Sequence, residues 1–223
     1  TLFPYTTLFR SEKGYIRHIG ITNHRLGVAR EAIASGNFET LQFPFCYLAA
    51  PQDLELVELC KAADMGFIAM KGLSGGLITN AATTFSFIKQ YDNVVPIWGI
   101  QRESELLEFI EMEKNPPAYD EAMKELIRKD REELAGNFCR GCGYCKPCPA
   151  GIDIPTMARM SLLLRRSPYQ RYMTEEFKEQ MMVIEKCLHC NACMSRCPYH
   201  LNTPELLQEN LKDYLQFYEE HHV

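Results

Sequence analysis

The chain has 223 residues, which is enough for one large or two small domains. Hydrophobic residues make up 46% of it, sufficient for a core, and the net charge of -5 argues against a nucleic-acid partner, which would favour a basic face. No apolar run reaches the roughly 18 residues that cross a bilayer, and the N-terminus lacks the pattern of a signal peptide. We therefore expect a cytoplasmic protein that does not bind membranes.

The first eleven residues form an unusual segment. Residues 1–11 contain two near-copies of a Thr-Leu-Phe unit and follow neither a helical nor a strand period. The string resembles the translation of a short-read sequencing adapter. This interpretation makes the segment an artefact and predicts that a genuine N-terminal portion of the protein is absent. The alternative is a real N-terminal strand and turn.

Residues 12–115 alternate between short apolar runs and amphipathic stretches. Strands that alternate with helices of about ten residues are typical of βα units on a parallel sheet. The predicted strands are residues 15–21, 40–45, 67–71 and 94–99, and the predicted helices are 26–35, 51–63, 83–90 and 103–113. A Gly-rich loop, residues 72–76, follows the third strand. Four such units resemble half of an eight-fold barrel.

Residues 116–135 form a predicted connecting segment. It begins at Pro116 and Pro117 and continues as one charged amphipathic helix over residues 119–134. Gly136 and Asn137 are expected to end this helix just before the first clustered cysteine.

The remaining segment, residues 136–223, carries eight of the ten cysteines in two runs. The runs are Cys139, Cys142, Cys145 and Cys148, followed by Pro149, and Cys187, Cys190, Cys193 and Cys197, followed by Pro198. In a reducing compartment such clustering favours metal binding over disulfides. The two isolated cysteines, Cys46 and Cys60, are expected to be small buried hydrophobes.

The spacing within each run fits an iron–sulfur cluster. Three thiolates at i, i+3 and i+6 allow one loop to wrap three corners of a [4Fe–4S] cubane, so the fourth ligand comes from elsewhere. In two-cluster ferredoxins the last cysteine of each run binds the other cluster. We therefore predict two [4Fe–4S] clusters, one held by Cys139, Cys142, Cys145 and Cys197 and the other by Cys187, Cys190, Cys193 and Cys148.

Two structural zinc ions are the alternative, because eight cysteines supply two tetrahedral sites. The triple spacing with a Cys-Pro pair, present twice, favours the clusters. His189, inside the second run, is either a hydrogen-bond donor to a cluster sulfur or an exposed spacer, and we favour the spacer.

An internal repeat accompanies the cysteines. Residues 148–155 and 197–204 both begin with Cys-Pro and place a second proline six residues after the first. Helices are predicted at residues 156–166, 174–186 and 205–218, with Thr203 as a cap of the last one. The segment is therefore expected to be mostly helical.

Taken together, the motifs resemble the aldo-keto reductase family, in the bacterial branch whose barrel carries a C-terminal ferredoxin-type domain. The resemblance rests on residues 18–24, 42–45, 68–76, 97–100 and 139–149 and spans about residues 13 to 215. It implies an α/β plus all-α protein. Residues 12–115 would supply strands five to eight of a (β/α)8 TIM barrel, and residues 136–223 a ferredoxin-type domain.

The resemblance further implies that the C-terminal ends of these strands bind NAD(P)H in the intact parent protein. Thr22 and Asn23 are similar to the pair that holds the nicotinamide carboxamide, with Gln42 beside them, and Met70 to the position that packs on the ring. Residues Lys71, Gly72 and Leu73 would begin the loop over the pyrophosphate. The adenosine end would be bound by Gly99, Ile100, Gln101 and Glu105.

The family's catalytic Asp, Tyr, Lys and His come from the first four strands, and nothing in this sequence matches their motifs. We therefore assign no catalytic residue and expect the chain not to reduce carbonyls by itself, although its parent is expected to be an NAD(P)-dependent oxidoreductase. The small carbonyl substrate and the redox partner are unknown. Half a barrel also leaves open strand edges, which predict self-association.

Three functions stay open because a nicotinamide gives up a hydride, whereas each cluster takes one electron. The first is a truncated NAD(P)-linked oxidoreductase with a two-cluster ferredoxin domain. The second is an electron-transfer module on a βα scaffold. The third is a structural metal module that recruits a partner.

Overall fold

The computed structural model describes residues 12–134 and 138–222, which form two compact units. Of these residues, one unit holds 12–73 and 80–129, and the other holds 74–79, 130–134 and 138–222. The expected mixture of a parallel α/β segment and a mostly helical segment is confirmed. The predictions for residues 1–11 and for a helix end at Gly136 and Asn137 lie outside the described residues. Among the helices of the described ranges, none is both long and apolar enough to span a membrane.

The first unit is built on a four-stranded parallel sheet in sequence order. Its strands are β1 (Gly20–Thr22), β2 (Thr40–Pro44), β3 (Gly66–Met70) and β4 (Val94–Pro96). The predicted strand 15–21 was too long, because β1 pairs with Thr40 at Gly20 and the residues before Ile19 lie beyond the start of β2. The predicted strand 94–99 was also too long. Its last bond to β3 is donated by the Ile97 N–H to the Ala69 carbonyl, beyond which β3 ends.

Five helices accompany the sheet, close to their predicted positions. They are α1 (Leu26–Ser35), α2 (Pro51–Ala62), α3 (Ala81–Ile88), α4 (Glu103–Lys114) and α5 (Glu121–Glu133). Local chemistry sets their ends. Asn80 caps α3 by accepting a hydrogen bond from the Ala82 N–H, and Gly36 ends α1 in the left-handed conformation that glycine tolerates best.

Alternate side chains of the central strands form the core of the sheet. Leu41 and Phe43 on β2 and Phe67 on β3 are at most 3% exposed. The predicted burial of Cys46 and Cys60 is confirmed. Burial raises the pKa of the Cys60 thiol to about 11, so this cysteine stays protonated at neutral pH.

The second unit is mostly helical, as predicted. Its elements are α6 (Ile154–Met157), α7 (Met160–Arg166), a 3-10 helix (Tyr169–Tyr172), α8 (Glu175–Met182), a second 3-10 helix (Val183–Lys186), α9 (Ala192–Arg196) and α10 (Thr203–His221). The single predicted helix 156–166 was wrong. It divides at Ala158 and Arg159, where the backbone of Arg159 leaves the helical region. The short helix α9 was not predicted.

One apolar core holds the helical unit together. Met160, Met181, Ile184 and Tyr214 have no exposed surface, and the Tyr214 hydroxyl donates a 2.7 Å hydrogen bond to the Tyr172 carbonyl. Leu77, from the segment Ser74–Thr79, is buried in the same core. The loop that follows β3 in the chain therefore contributes to the helical unit.

Arg166 fixes this segment from the end of α7. Its guanidinium donates to the Leu77 carbonyl at 2.8 Å and to the Asp130 carboxylate at 3.0 Å, and it also pairs with Glu133. The Arg166 side chain is only 13% exposed. Loss of this side chain removes one hydrogen-bond donor from the Leu77 carbonyl and one from the Asp130 carboxylate, in a partly buried position, which is costly.

We predict that Arg166→Gln lowers the free energy of unfolding by about 1–3 kcal/mol. The matched control is Arg165→Gln, which removes an ion pair to Asp213 from a side chain that is 51% exposed and is expected to cost less than about 1 kcal/mol. Anaerobic urea unfolding followed by circular dichroism measures both variants. Equal losses in the two would contradict the role given to Arg166.

Candidate metal centre and nucleotide site

The two cysteine loops share one backbone shape. In the first loop, Gly141 and Gly143 have φ of 62° and 83°, and in the second loop His189 and Asn191 occupy the equivalent positions with φ of 48° and 57°. Left-handed residues at these positions turn the chain, and the first three cysteines of each run line the same cavity. The Gly141 N–H donates to the Cys139 Sγ at 3.4 Å.

His189 is exposed, as expected for a spacer. Its left-handed backbone gives it a conformational part in the loop that the sequence did not reveal.

Eight cysteines line two neighbouring cavities in the helical unit. The first cavity is lined by Cys139, Cys142, Cys145, Cys193 and Cys197, and the second cavity by Cys145, Cys148, Cys187, Cys190 and Cys193. The last cysteine of each run thus lies at the cavity of the other run. Cys145 and Cys193 line both cavities and form the wall between them. Each predicted set of four ligands is therefore brought together around one cavity.

The cavities present sulfur ligands. Apart from the cysteines, the second cavity has mainly apolar walls, and Ile154 lines both cavities. All-thiolate ligand sets fit iron–sulfur clusters. Within residues 12–134 and 138–222, no three His, Cys, Asp or Glu side chains are arranged to hold a single metal ion.

Burial and the neighbouring thiols raise the pKa of three of these cysteines. Burial is the largest cause of the raised pKa of Cys139, Cys145 and Cys193, and for Cys145 the pKa reaches about 11. The neighbouring thiols Cys139 and Cys142 add to the increase at Cys145. Iron binds cysteines as thiolates, and its positive charge would offset the repulsion between them. Binding of the metal and folding of the loops would therefore be coupled.

Three polar side chains at the first cavity were missed by the sequence reasoning. Arg140, Tyr199 and Thr203 line it beside the cysteines. The Arg140 guanidinium lies over the rings of Phe138 and Tyr199, at 5.0 Å and 4.7 Å from their centroids. The only available signal was that Arg140 follows Cys139 and that Tyr199 closely follows Cys197.

The residues predicted to hold the nicotinamide lie at the carboxyl edge of the sheet. Thr22 ends β1 and pairs with Gln42 on β2, and the Asn23 N–H donates to the Gln42 carbonyl at 3.0 Å. The Gln42 Nε2 lies 3.8 Å from the Met70 Sδ at the end of β3. The structure therefore brings Thr22, Asn23, Gln42 and Met70 together. The Asn23 Oδ1 also accepts from the Arg25 N–H at 2.7 Å, so this atom shapes the entry to α1.

The predicted pyrophosphate loop follows β3 directly. Lys71 has a φ of 62° and lies close enough to His24 for its charge to lower the pKa of that imidazole, after the larger effect of burial. Gly72 packs against Trp98, whose ring would lie 2.7 Å from any Cβ at this position. The Gly72 carbonyl accepts from the Thr84 hydroxyl at 2.8 Å. Packing therefore fixes the backbone of Gly72, and Leu73 packs beside Trp98 and Phe85.

The residues predicted for the adenosine end follow β4. Gly99, Ile100 and Gln101 are exposed, and Glu105 lies in the first turn of α4. The Glu105 carboxylate accepts from the N–H groups of Gln101, at 2.7 Å, and Arg102. In this structure that carboxylate caps a helix.

Comparison with protein families agrees with both halves of the sequence interpretation. Residues 138–202 match the model of the 4Fe-4S dicluster domain, and residues 10–87 match that of the Aldo/keto reductase family. The chain carries an aldo/keto reductase domain followed by a 4Fe-4S dicluster domain. The predicted combination of the two is confirmed, and it supports an iron–sulfur oxidoreductase. No curated protein and no solved structure matches the chain significantly.

The shared shape of the cysteine loops gives a test of the dicluster domain. We predict that Gly143→Val lowers the iron bound per chain, because a β-branched residue at a φ of 83° costs about 1–3 kcal/mol. A Cβ at Gly143 meets no atom within 4 Å, so the effect is one of backbone strain. Gly143→Asn is the control and should retain its iron, since Asn191 occupies the equivalent position. Elemental analysis after anaerobic purification measures the iron bound per chain. An unchanged iron content in Gly143→Val would contradict the prediction.

Proposed function

We propose that the helical unit holds two [4Fe–4S] clusters and transfers electrons for a nicotinamide-linked oxidoreductase. The first cluster is held by Cys139, Cys142, Cys145 and Cys197, and the second by Cys148, Cys187, Cys190 and Cys193. The observation that carries this proposal is the crossing of Cys148 and Cys197 to the cavities of the opposite loops. Such crossing is the ligand pattern of two-cluster ferredoxins.

The protein would hold the two clusters side by side. Cys145 and Cys193 line both cavities, so each of these side chains contacts the space of both groups. When bound, the clusters supply one-electron transfer at potentials set by exposure and hydrogen bonding. The shared wall provides a short path between them.

The second cysteine loop provides the exit to solvent. Cys190 is exposed, and the neighbouring Leu188 and Met194 are 66% and 37% exposed. In the first loop, in contrast, residues 139–145 are half-buried. A redox partner would therefore meet the second cluster at residues 188–191.

The sheet would serve the nicotinamide cofactor of the intact protein, as strands five to eight of a (β/α)8 barrel. Thr22, Asn23 and Gln42 would hold the carboxamide, and Met70 would pack on the ring. The support for this is that the four residues lie at the carboxyl edge of neighbouring strands, where barrels bind their ligands, and that the Gln42 and Met70 side chains are in contact. Lys71, Gly72 and Leu73 would contact the pyrophosphate, and Gly99, Ile100, Gln101 and Glu105 the adenosine. A small carbonyl compound is the expected substrate of the whole enzyme.

A second candidate function is an electron-transfer module without nicotinamide chemistry. Two observations favour it. The Asn23 Oδ1 and the Glu105 carboxylate both accept hydrogen bonds from nearby backbone N–H groups, so these polar atoms already have structural roles. In that case the sheet is a scaffold for the helical unit.

The crossed ligand sets make a prediction that pairs of substitutions can test. Cys139→Ser with Cys197→Ser removes two ligands of one cluster, so about four of eight iron atoms should remain. Cys139→Ser with Cys148→Ser damages both clusters and should remove most of the iron. Uncrossed ligand sets would give the opposite order. Cys46→Ala is the control that should keep all the iron. Anaerobic purification with iron and sulfide analysis is the measurement, and zinc in place of iron would refute the proposal.

Nicotinamide binding separates the two candidate functions. Isothermal titration of the cluster-loaded chain with NADPH and with NADH should show binding, and Lys71→Ala should weaken it about tenfold through loss of a charge-assisted bond to phosphate. Lys89→Ala is the matched control, because Lys89 pairs with Glu113 on the surface. If the unaltered chain binds neither nucleotide, the second candidate function, the electron-transfer module, is favoured.

A further inference from the structure

Arg140 brings a positive charge to the wall of the first cavity. Its guanidinium lies over the rings of Phe138 and Tyr199, at 5.0 Å and 4.7 Å from their centroids, which are cation–π distances. Tyr199 lines the same cavity. The two rings therefore hold the guanidinium beside the cavity.

No acidic side chain neutralises this charge. Over residues 12–134 and 138–222, Arg140 has no carboxylate within ion-pair distance, and its guanidinium contacts two neutral rings. Arginine stays protonated at every accessible pH. Since Arg140 is half-buried, its guanidinium has lost part of its hydration, and an anionic group bound in the cavity would stabilise it.

Arg159 brings a second guanidinium to the first loop. Its Cζ lies 3.4 Å from the position that a Cβ on Gly141 would occupy. Its Nη1 donates to the Gly75 carbonyl at 3.4 Å, which is long, and its buried Nε has no hydrogen-bond partner in the described part of the chain. The Gly141 N–H in turn donates to the Cys139 Sγ. A second positive charge therefore lies against the backbone that carries the ligands of the first cluster.

The second cavity differs from the first in this respect. Among the described residues that line it, none is Arg, Lys, Asp or Glu. Besides the cysteines, its wall consists of Pro147, Pro149, Ala150, Ile152, Ile154, Leu188, Asn191, Ala192, Pro204 and Leu207. The two cavities thus have similar cysteine sets but different electrostatic surroundings.

We propose that Arg140 and Arg159 are positioning residues whose charges selectively raise the reduction potential of the first cluster. This inference rests on the two-cluster function proposed above. Reduction by one electron adds a negative charge, and a nearby cation stabilises the reduced form more than the oxidised form. The electron comes from an external one-electron reductant, and no bond is formed or broken in the protein.

The test is anaerobic potentiometry of the full chain with dithionite and redox mediators, read by electron paramagnetic resonance. Arg140→Gln removes the charge and keeps a polar side chain. It is expected to make reduction of the first cluster about tenfold less favourable, a shift of ~59 mV for one electron. Arg140→Lys retains the charge and should lie closer to the unaltered chain.

Arg171→Gln is the matched control. The Arg171 guanidinium also lies over a tyrosine ring, 4.6 Å from the Tyr172 centroid, but Arg171 lines neither cavity. Its loss should leave both potentials unchanged.

Two backgrounds assign the shift to a cluster. Cys148→Ser with Cys187→Ser leaves the first cluster, whose potential Arg140→Gln should lower. Cys139→Ser with Cys197→Ser leaves the second cluster, on which the same substitution should have no effect.

Arg159→Gln gives an independent measurement and decides the matter if Arg140→Gln does not keep its clusters. It should lower the potential of the first cluster, and an unchanged potential in a variant with full iron would overturn the inference while the two-cluster function stands. An equal shift of both clusters, or a shift in Arg140→Lys as large as that in Arg140→Gln, would overturn it as well. Colourless unaltered protein, or protein that carries zinc, would refute both the inference and the proposed function.

Discussion

The helical unit depends on two cysteines that cross from one run to the cavity of the other. Cys148 leaves the first loop to join Cys187, Cys190 and Cys193, and Cys197 returns to join the first loop. Between the two runs the chain forms α6, α7 and α8, whose buried side chains pack with those of α10 in one core. Clusters bound by the two runs would therefore close a loop of chain that contributes to this core, so metal binding and folding would be coupled.

The two halves of this unit reach one geometry with different residues. Glycines supply the left-handed positions of the first loop, whereas His189 and Asn191 supply them in the second. The helices that follow start at equivalent positions, one with Ile154 and one with Thr203. Shape is thus kept where the ligands must be placed, while polarity and exposure differ between the halves.

The chain enters the helical unit twice, first with the segment that follows β3 and again at Asp130. Residues Lys71 to Leu73 belong to the sheet unit, and the next six residues, Ser74–Thr79, belong to the helical unit. Leu77 lies in the helical core, and Arg166 holds its carbonyl.

The sequence alone determined the features that depend on local spacing. Cysteines three residues apart, the repeated Cys-Pro, and the alternation of apolar runs with amphipathic stretches indicated the metal-binding segment and the parallel sheet, because ligand spacing and hydrophobic periodicity are properties of neighbouring residues. The tertiary structure decided the rest. The lengths of β1 and β4 depend on where β2 and β3 begin and end. The left-handed backbone of His189 and the position of Thr203 in the wall of the first cavity depend on how the chain folds back on itself. These features follow from which distant segments come to lie side by side, and that information is not contained in any single stretch of the sequence.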